Sequence, residues 1–449
     1  MDNPQAKLGT MPIAPLLIKM SVPMMISMFV QALYNTVDSM FVASISEDAL
    51  AAVSLAWPIQ VIMNAIAIGT GVGTAAFVSR CLGMGDHEKA EKAANVQIFL
   101  SAVYTLVFIL VGIFGVKAYF RAQTEVASIV EYGSSYLSIV CICCIGSVFC
   151  QNFEKLLIAT GNSAQSMISQ ASGAVFNILF DWLLIFGIGP FPALGIRGAA
   201  IATVLGQILT ASLGFTFLRK RGGLKFRFSK MLPNREVLKN IYAVGIPCSL
   251  TIGLDSVMGF IVNQILLTFS TTATAVFGVW LKLQSFSFMP VFGMNNGTIA
   301  IYAYNYGAGN LERVKKTLRL ALICGVITTS LFALCYEIFP KNLITLFDAG
   351  ENMMEIGTVA LRLCAVSLPF AAVTIILSSP FEALGSPQFS LFNNLFRQII
   401  FLCPLAWLFS LSGVLDRVWL APMIAEFTAM VIALLFLRKV LRRLTRELT

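Results

Sequence analysis

The sequence predicts an all-α membrane protein: twelve transmembrane helices in two six-helix lobes related by a pseudo-two-fold axis along the membrane normal. Three observations carry that prediction. First, 57% of the 449 residues are hydrophobic, only 12% are charged and the mean hydropathy is +0.83, whereas a soluble domain carries about 25% charged residues. Second, apolar runs of about 20 residues, enough to cross a bilayer core, recur along the chain and leave no room for a separate soluble catalytic domain. Third, the chain repeats itself at a constant separation of 224 residues. Pro23 in Met-Ser-Val-Pro matches Pro247 in Val-Gly-Ile-Pro, Gly83-Met-Gly85-Asp86 matches Gly307-Ala-Gly309-Asn310, and Ala-Thr-Gly161-Asn-Ser matches Ala-Leu-Gly385-Ser-Pro. Three anchors at one offset indicate duplication. An even number of helices per unit makes both halves enter from the same side, with a cavity between them.

Taken in order, the spans centre near Ser27, Ala65, Thr105, Cys143, Phe176 and Leu205 in the first half. Those of the second half centre near Ser256, Phe288, Ile327, Leu368, Ile400 and Ala425. The first apolar stretch, Met20 to Ser44, has Pro23 near its start and one carboxylate, Asp38, deep inside. A charge in such a segment costs roughly 2.5 to 3.5 kcal/mol on insertion scales, so it needs a partner, a proton or a cation. Met1 to Met11 is polar and precedes a helix much longer than a signal-peptide core, which predicts no cleaved leader. The first lobe is residues 1–218, the basic linker 219–239 and the second lobe 240–449.

The charges set the orientation. Lys7, Lys19, Arg80, Lys89, Lys92, Lys155, the eight basic residues from Arg219 to Lys239, the group Arg313 to Arg319 and the C-terminal basic residues all fall on the side of the termini. Lys117, Arg121, Arg197, Lys341 and Arg417 face the other side, and Lys282, Arg362 and Arg397 fall within spans. By the positive-inside rule both termini are cytoplasmic, in a multi-pass protein of the plasma membrane. The net charge of +9 is thus topological and indicates no nucleic-acid partner. Most of the ten cysteines lie in apolar helices; Cys141 and Cys144 have Cys-x-x-Cys spacing without a flanking His or second pair, and read as small buried hydrophobes.

The polar residues inside the spans carry the chemistry. Asn177 and Asp181 are four apart and share a face of the fifth span. Thr203 lies about eight residues into the sixth. At about 1.5 Å per residue, Asp38, Asp181 and Thr203 fall roughly 8 to 12 Å below the outer helix ends, at one depth. Two carboxylates, an amide oxygen and a hydroxyl suit a hard cation such as Na⁺, and the lack of His and Cys argues against zinc or copper. Without a metal ion the two carboxylates repel, and the pair serves as a proton carrier instead. The offset carries Asp38 to Val262 and Asp181 to Leu405, so the halves have specialised. The second half carries Asp255 in the seventh span, the intramembrane cations Lys282 and Arg397, and a run from Phe286 and Met289 onward. An ion pair with Asp255 is the plain expectation for Lys282. Phe286 and Met289 are candidates for an adaptable surface toward amphipathic cations, with core packing as the plainer role.

Two matches are decoys. Gly71-Val-Gly73 fits a loose dinucleotide fingerprint but lies inside a span, where close helix packing is expected. Gly83-Met-Gly85-Asp86 resembles the motif of intramembrane aspartyl proteases, but sits at a helix end and reads as a turn. No nucleophile elbow or His-Glu-x-x-His is present, so the chain is not expected to be an enzyme.

These residues together resemble the multidrug and toxic compound extrusion (MATE) transporters, in their bacterial DinF-like and MepA-like branch. The resemblance covers nearly the whole chain: Ser-Val-Pro23, Gln31-Ala-Leu-Tyr-Asn35-Thr-Val-Asp38, the two Gly-x-Gly loops, Asn177-Ile-Leu-Phe-Asp181 and Gly198-Ala-Ala-Ile-Ala-Thr203. It implies that Asp38, Asn177, Asp181 and Thr203 form a cation site in the first lobe. Asp255 aligns with a Glu used by the NorM branch, a mixed pattern. The implied activity is antiport of organic cations or amphipathic drugs against inward H⁺ or Na⁺, by a monomer in the lipid bilayer with no cofactor beyond the coupling ion. A kink at Pro23 is the expected hinge. A flippase for a lipid-linked glycan of the same superfamily is the alternative.

Overall fold

The computed structural model describes residues 4–227, 230–347 and 350–448; Phe228 and Ser229 of the expected linker lie outside the described residues. All regular structure among them is helical. Ten helices are each long and apolar enough to span a membrane, and two bent pairs bring the number to twelve. The first three spans are Ile13–Ala43, Glu47–Gly83 and His87–Gln123. The fourth is the pair Ala127–Ile142 and Ile145–Ala159, bent by 50°. The fifth and sixth are Ser163–Phe186 and Ile196–Arg221. In the second half the seventh to ninth are Arg235–Leu267, Thr271–Gly307 and Leu311–Ile338, and the tenth is the pair Glu351–Ala365 and Leu368–Ala383, bent by 49°. Pro387–Ser410 is the eleventh and Ala421–Leu448 the twelfth.

The 224-residue repeat extends to fine detail. Ser46 and Ser270 both cap the next helix by accepting a hydrogen bond from a backbone N–H, of Ala49 at 3.0 Å and of Ala273 at 3.0 Å. Asp86 and Asn310 do the same for Lys89 at 3.0 Å and Arg313 at 3.1 Å. Each capping acceptor satisfies one donor that a helix start leaves open. The glycines before them, Gly85 and Gly309, have φ of 78° and 71°, a left-handed turn that suits Gly. Gly83-Met-Gly85-Asp86 is therefore the turn its position suggested.

The lobes meet along two seams that the repeat relates. Gly69 and Gly73 of the second span press on the seventh span around Gly245, while Gly293 and Gly297 of the eighth press on Met25 and Met20 of the first. A Cβ on Gly73 would come within 2.1 Å of the Ile241 carbonyl oxygen, so only glycine allows this approach. All these contacts lie in the halves of the spans nearest the termini. On the other side of the seams lies a cavity of about 880 Å³, walled mostly by the second lobe and closed by residues of the first two spans such as Gln31, Asn35, Trp57 and Val72. The first span runs helical through Pro23, without a break. The short helix Pro4–Thr10 crosses to the second lobe, where Asn305 Nδ2 donates to the Leu8 carbonyl at 3.0 Å and Arg313 Nη2 donates to that of Met11 at 2.7 Å.

The charge map counted Lys155 on the side of the termini, outside the spans. The structure keeps it toward that side but places it within the second arm of the bent fourth span, four residues before the helix ends at Ala159, and 6% exposed.

Candidate functional site

The first span delivers Asp38 to the face of the fifth span that carries Asn177 and Asp181, one helical turn apart. Asp181 is wholly buried and Asn177 is 3% exposed. The carboxyl groups of Asp38 and Asp181 lie within hydrogen-bonding reach of each other, a contact that one shared proton would satisfy. Asn177 Nδ2 donates to Thr203 Oγ1 of the sixth span at 3.3 Å, which leaves its amide oxygen free. The structure thus pairs Asp38 with Asp181 and Thr203 with Asn177, so the three residues expected at one depth, Asp38, Asp181 and Thr203, meet on the face of the fifth span that carries Asn177. Four oxygens there, Asp38 Oδ1, both Asp181 Oδ atoms and Asn177 Oδ1, are buried without a hydrogen-bond donor. Buried acceptors are ordinarily paired, so a cluster of four orphaned oxygens is a cradle for a positive charge. The donor set is all oxygen and fits H⁺ or a hard monovalent ion.

Tyr34 and Tyr136 are near enough to interact with both carboxylates. Toward the termini, Asn177 and Thr203 open on a small polar chamber of about 100 Å³ that also touches Gln31, Tyr34, Gln170, Gln207 and Glu154. Sequence reasoning missed this chamber, although glutamines recurring inside apolar spans were a visible signal.

In the second lobe, Asp255, Met289 and Arg397 line the central cavity. Arg397 Nη2 is 3.8 Å from Asp255 Oδ1, and Nη1 is 3.4 Å from Glu426 Oε1. Gln398 Nε2 donates to Asp255 Oδ1. Arg397 and Gln398 sit in a π-helical segment, Phe396–Leu402, of the eleventh span. That extra-wide turn rotates neighbouring residues relative to an α-helix and is common at functional sites. Lys282 does not meet Asp255, contrary to the plain expectation: its Nζ lies 5.7 Å from the centroid of the Phe347 ring, and Arg397 takes the partner role. Phe286 is not a lining residue of the cavity either; it packs edge-on against Phe29 at 6.2 Å and Phe332 at 5.9 Å. Two further carboxylates, Glu382 and Glu426, line the cavity. Their placement in apolar spans was the signal that could have found them.

Comparisons with known proteins fit this architecture. The MatE family model matches residues 23–183 and 247–408, two segments that begin at the two repeat prolines. The multidrug export protein MepA of Staphylococcus haemolyticus is 25% identical over 431 residues, covering 95% of this chain and 93% of its own. An FAD transporter of Shewanella oneidensis is 27% identical over 412 residues, covering 88% of each. Among solved structures, an outward-facing multidrug resistance MATE family transporter of the MOP superfamily superposes with a TM-score of 0.90 at 25% identity, over 99% of this chain and 97% of that one.

Proposed function

The chain belongs to the MatE family of membrane transporters, and on that premise we propose that it exports organic cations and amphipathic drugs in exchange for inward H⁺ or Na⁺. The observation that carries this reading is the cluster of four donorless oxygens at Asp38, Asn177 and Asp181. Thr203 accepts from the Asn177 amide nitrogen and leaves its buried oxygen without a donor. A bound ion would supply the positive charge that these oxygens lack. With the termini cytoplasmic, the seams lie toward the inner side and the cavity beyond them toward the outer side, the side from which the coupling ion arrives. Loading the cluster removes the repulsion between Asp38 and Asp181 and lets the first span pack more closely on the fifth. The missing backbone hydrogen bond at Pro23 gives that span a place to bend.

The cavity supports a cationic substrate, since Asp255, Glu382 and Glu426 outnumber Arg397 there. Exporting one monovalent cation against the membrane potential costs about 2.3 kcal/mol per 100 mV, which one inward cation only cancels. A site with two carboxylates lets two positive charges enter per substrate. A second reading, transport of an anionic solute, rests on Arg397 in the cavity and on the relative that carries FAD. Arg397 is already engaged by Asp255 and Glu426, which favours the first.

The test is dye efflux from proteoliposomes under an imposed pH or Na⁺ gradient. Ethidium should move in the unaltered protein and FAD should not; the effective gradient names the coupling ion. Asp38→Asn should abolish gradient-driven efflux while leaving insertion intact, and efflux retained in that variant would sink the proposal.

A further inference from the structure

Among the described residues, one lysine is buried at the lobe boundary, and the antiport mechanism makes no use of it. Lys155 Nζ lies 3.1 Å from Glu154 Oε1 on its own helix and 3.0 Å from Asn296 Oδ1 on the eighth span, in the other lobe. The Lys155 and Glu154 side chains are 8% and 11% exposed. Glu154 lines the polar chamber that adjoins Asn177 and Thr203, whereas Asn296 and Glu382 line the central cavity. The ammonium therefore stands in the partition between the two. Glu382 is within electrostatic reach of it from the cavity side. The stem is accommodated by Gly71, where a Cβ would stand 3.0 Å from Lys155 Cγ. This assigns a task to the first glycine of the false dinucleotide motif.

A lysine kept in a span needs compensation, and here the compensation comes from both lobes. Asn296 can remain a partner only while the fourth and eighth spans stay together, that is, while the seams are closed. Opening them withdraws the ammonium from Asn296 and Glu382. We propose that Lys155 is a specificity-determining residue, the protein's own cation, which ties the lobes through Asn296 in this state and stands in for a cationic substrate beside Glu382. It rests on the reading of the cavity as a site for organic cations. On this account Lys155 and a positively charged substrate are alternatives at the cavity floor, and a neutral amphiphile is indifferent to it.

Two measurements on the purified full chain test this without any ion gradient, so they stand apart from the antiport test. The first is equilibrium binding of ethidium and of a neutral amphiphile of similar size. Lys155→Met should bind ethidium roughly tenfold more tightly, with the neutral ligand unchanged, and Lys155→Arg should match the unaltered protein. The second is hydrogen exchange at the closed helix ends, residues 76–86 and 300–310. Both Lys155→Met and Asn296→Leu should accelerate it roughly tenfold, the loss expected for a hydrogen bond to a charged group. Asn296→Leu keeps every charge and breaks only the bond between lobes, so it decides the matter if Lys155→Met does not fold. Ethidium binding that fails to tighten in Lys155→Met, or exchange that is unchanged in both variants, overturns the proposal. If the unaltered protein binds no ethidium, the organic-cation reading falls, and the exchange result alone rules on the tether.

Discussion

Replacing Arg397 by Met takes the counter-charge from Asp255 and Glu426, and the structure sets the cost. Arg397 faces two partners, Glu426 at 3.4 Å and Asp255 at 3.8 Å. They are not equivalent. The Asp255 side chain is 61% exposed to the cavity, so water can solvate it and its share is small. Glu426 is 10% exposed and its second oxygen has no donor, so the loss falls on it. Stranding one buried charge costs about 3 to 5 kcal/mol. A 3.4 Å contact is long for a charge-assisted hydrogen bond, which sets the expectation at the lower end, about 3 kcal/mol. The assay is reversible denaturant unfolding of the purified protein, applied to Arg397→Met, Glu426→Gln and the double variant. The double variant removes charge and counter-charge together and should recover most of the loss, giving a coupling of at least about 1 kcal/mol. Additive losses, or an Arg397→Met variant within about 0.5 kcal/mol of the unaltered protein, would refute the reasoning.

The same structure gives further expected outcomes. Thr203→Val keeps the shape but removes the acceptor of Asn177 Nδ2, and should cost about 1 kcal/mol in unfolding experiments together with a weaker response of efflux to the ion gradient. Met289→Ala, on the cavity wall, should weaken ethidium affinity severalfold, while Phe286→Ala should change it less than about twofold, since that ring packs outside the cavity; equal effects in a binding titration would contradict the assignment. Gly73→Val cannot fit against the Ile241 carbonyl, so hydrogen exchange at residues 76–86 should rise as the seam opens. Asp86→Ala and Asn310→Ala should each lower stability by about 1 kcal/mol as matched losses of a helix cap, and unequal losses in thermal unfolding would mean that the two turns are not equivalent.

How much of this was legible in the sequence differs from residue to residue. Asp38 and Asp181 could be found because a carboxylate in an apolar span is costly and therefore conspicuous, and counting residues from the helix ends gave the shared depth. Depth is one coordinate, however. Whether two residues at one depth meet depends on how each helix is rotated about its axis, and rotation is set by packing against neighbours. The first-lobe set came together because Asn177 and Asp181 already shared a face. Lys282 and Asp255 did not meet: Lys282 lies beside the Phe347 ring, while the π-helical segment Phe396–Leu402 carries Arg397 and Gln398 to Asp255. Lys155 was counted outside the spans for a related reason: its polar neighbours Gln151, Asn152 and Glu154 read like the edge of a loop, although the helix runs on to Ala159.

The sequence by itself determined the membrane class, the twelve spans, the duplication and the carboxylates of the first lobe. Hydrophobic length, charge asymmetry and periodicity are properties of a chain read one residue at a time, and the bilayer acts on them directly. Only the tertiary structure decided which charge neutralises which, where the glycine seams close the lobes and that Lys155 bridges them. Those are distances of a few ångströms between residues on different helices, 29 positions apart for Arg397 and Glu426 and 141 for Lys155 and Asn296, and they exist only after the helices have packed.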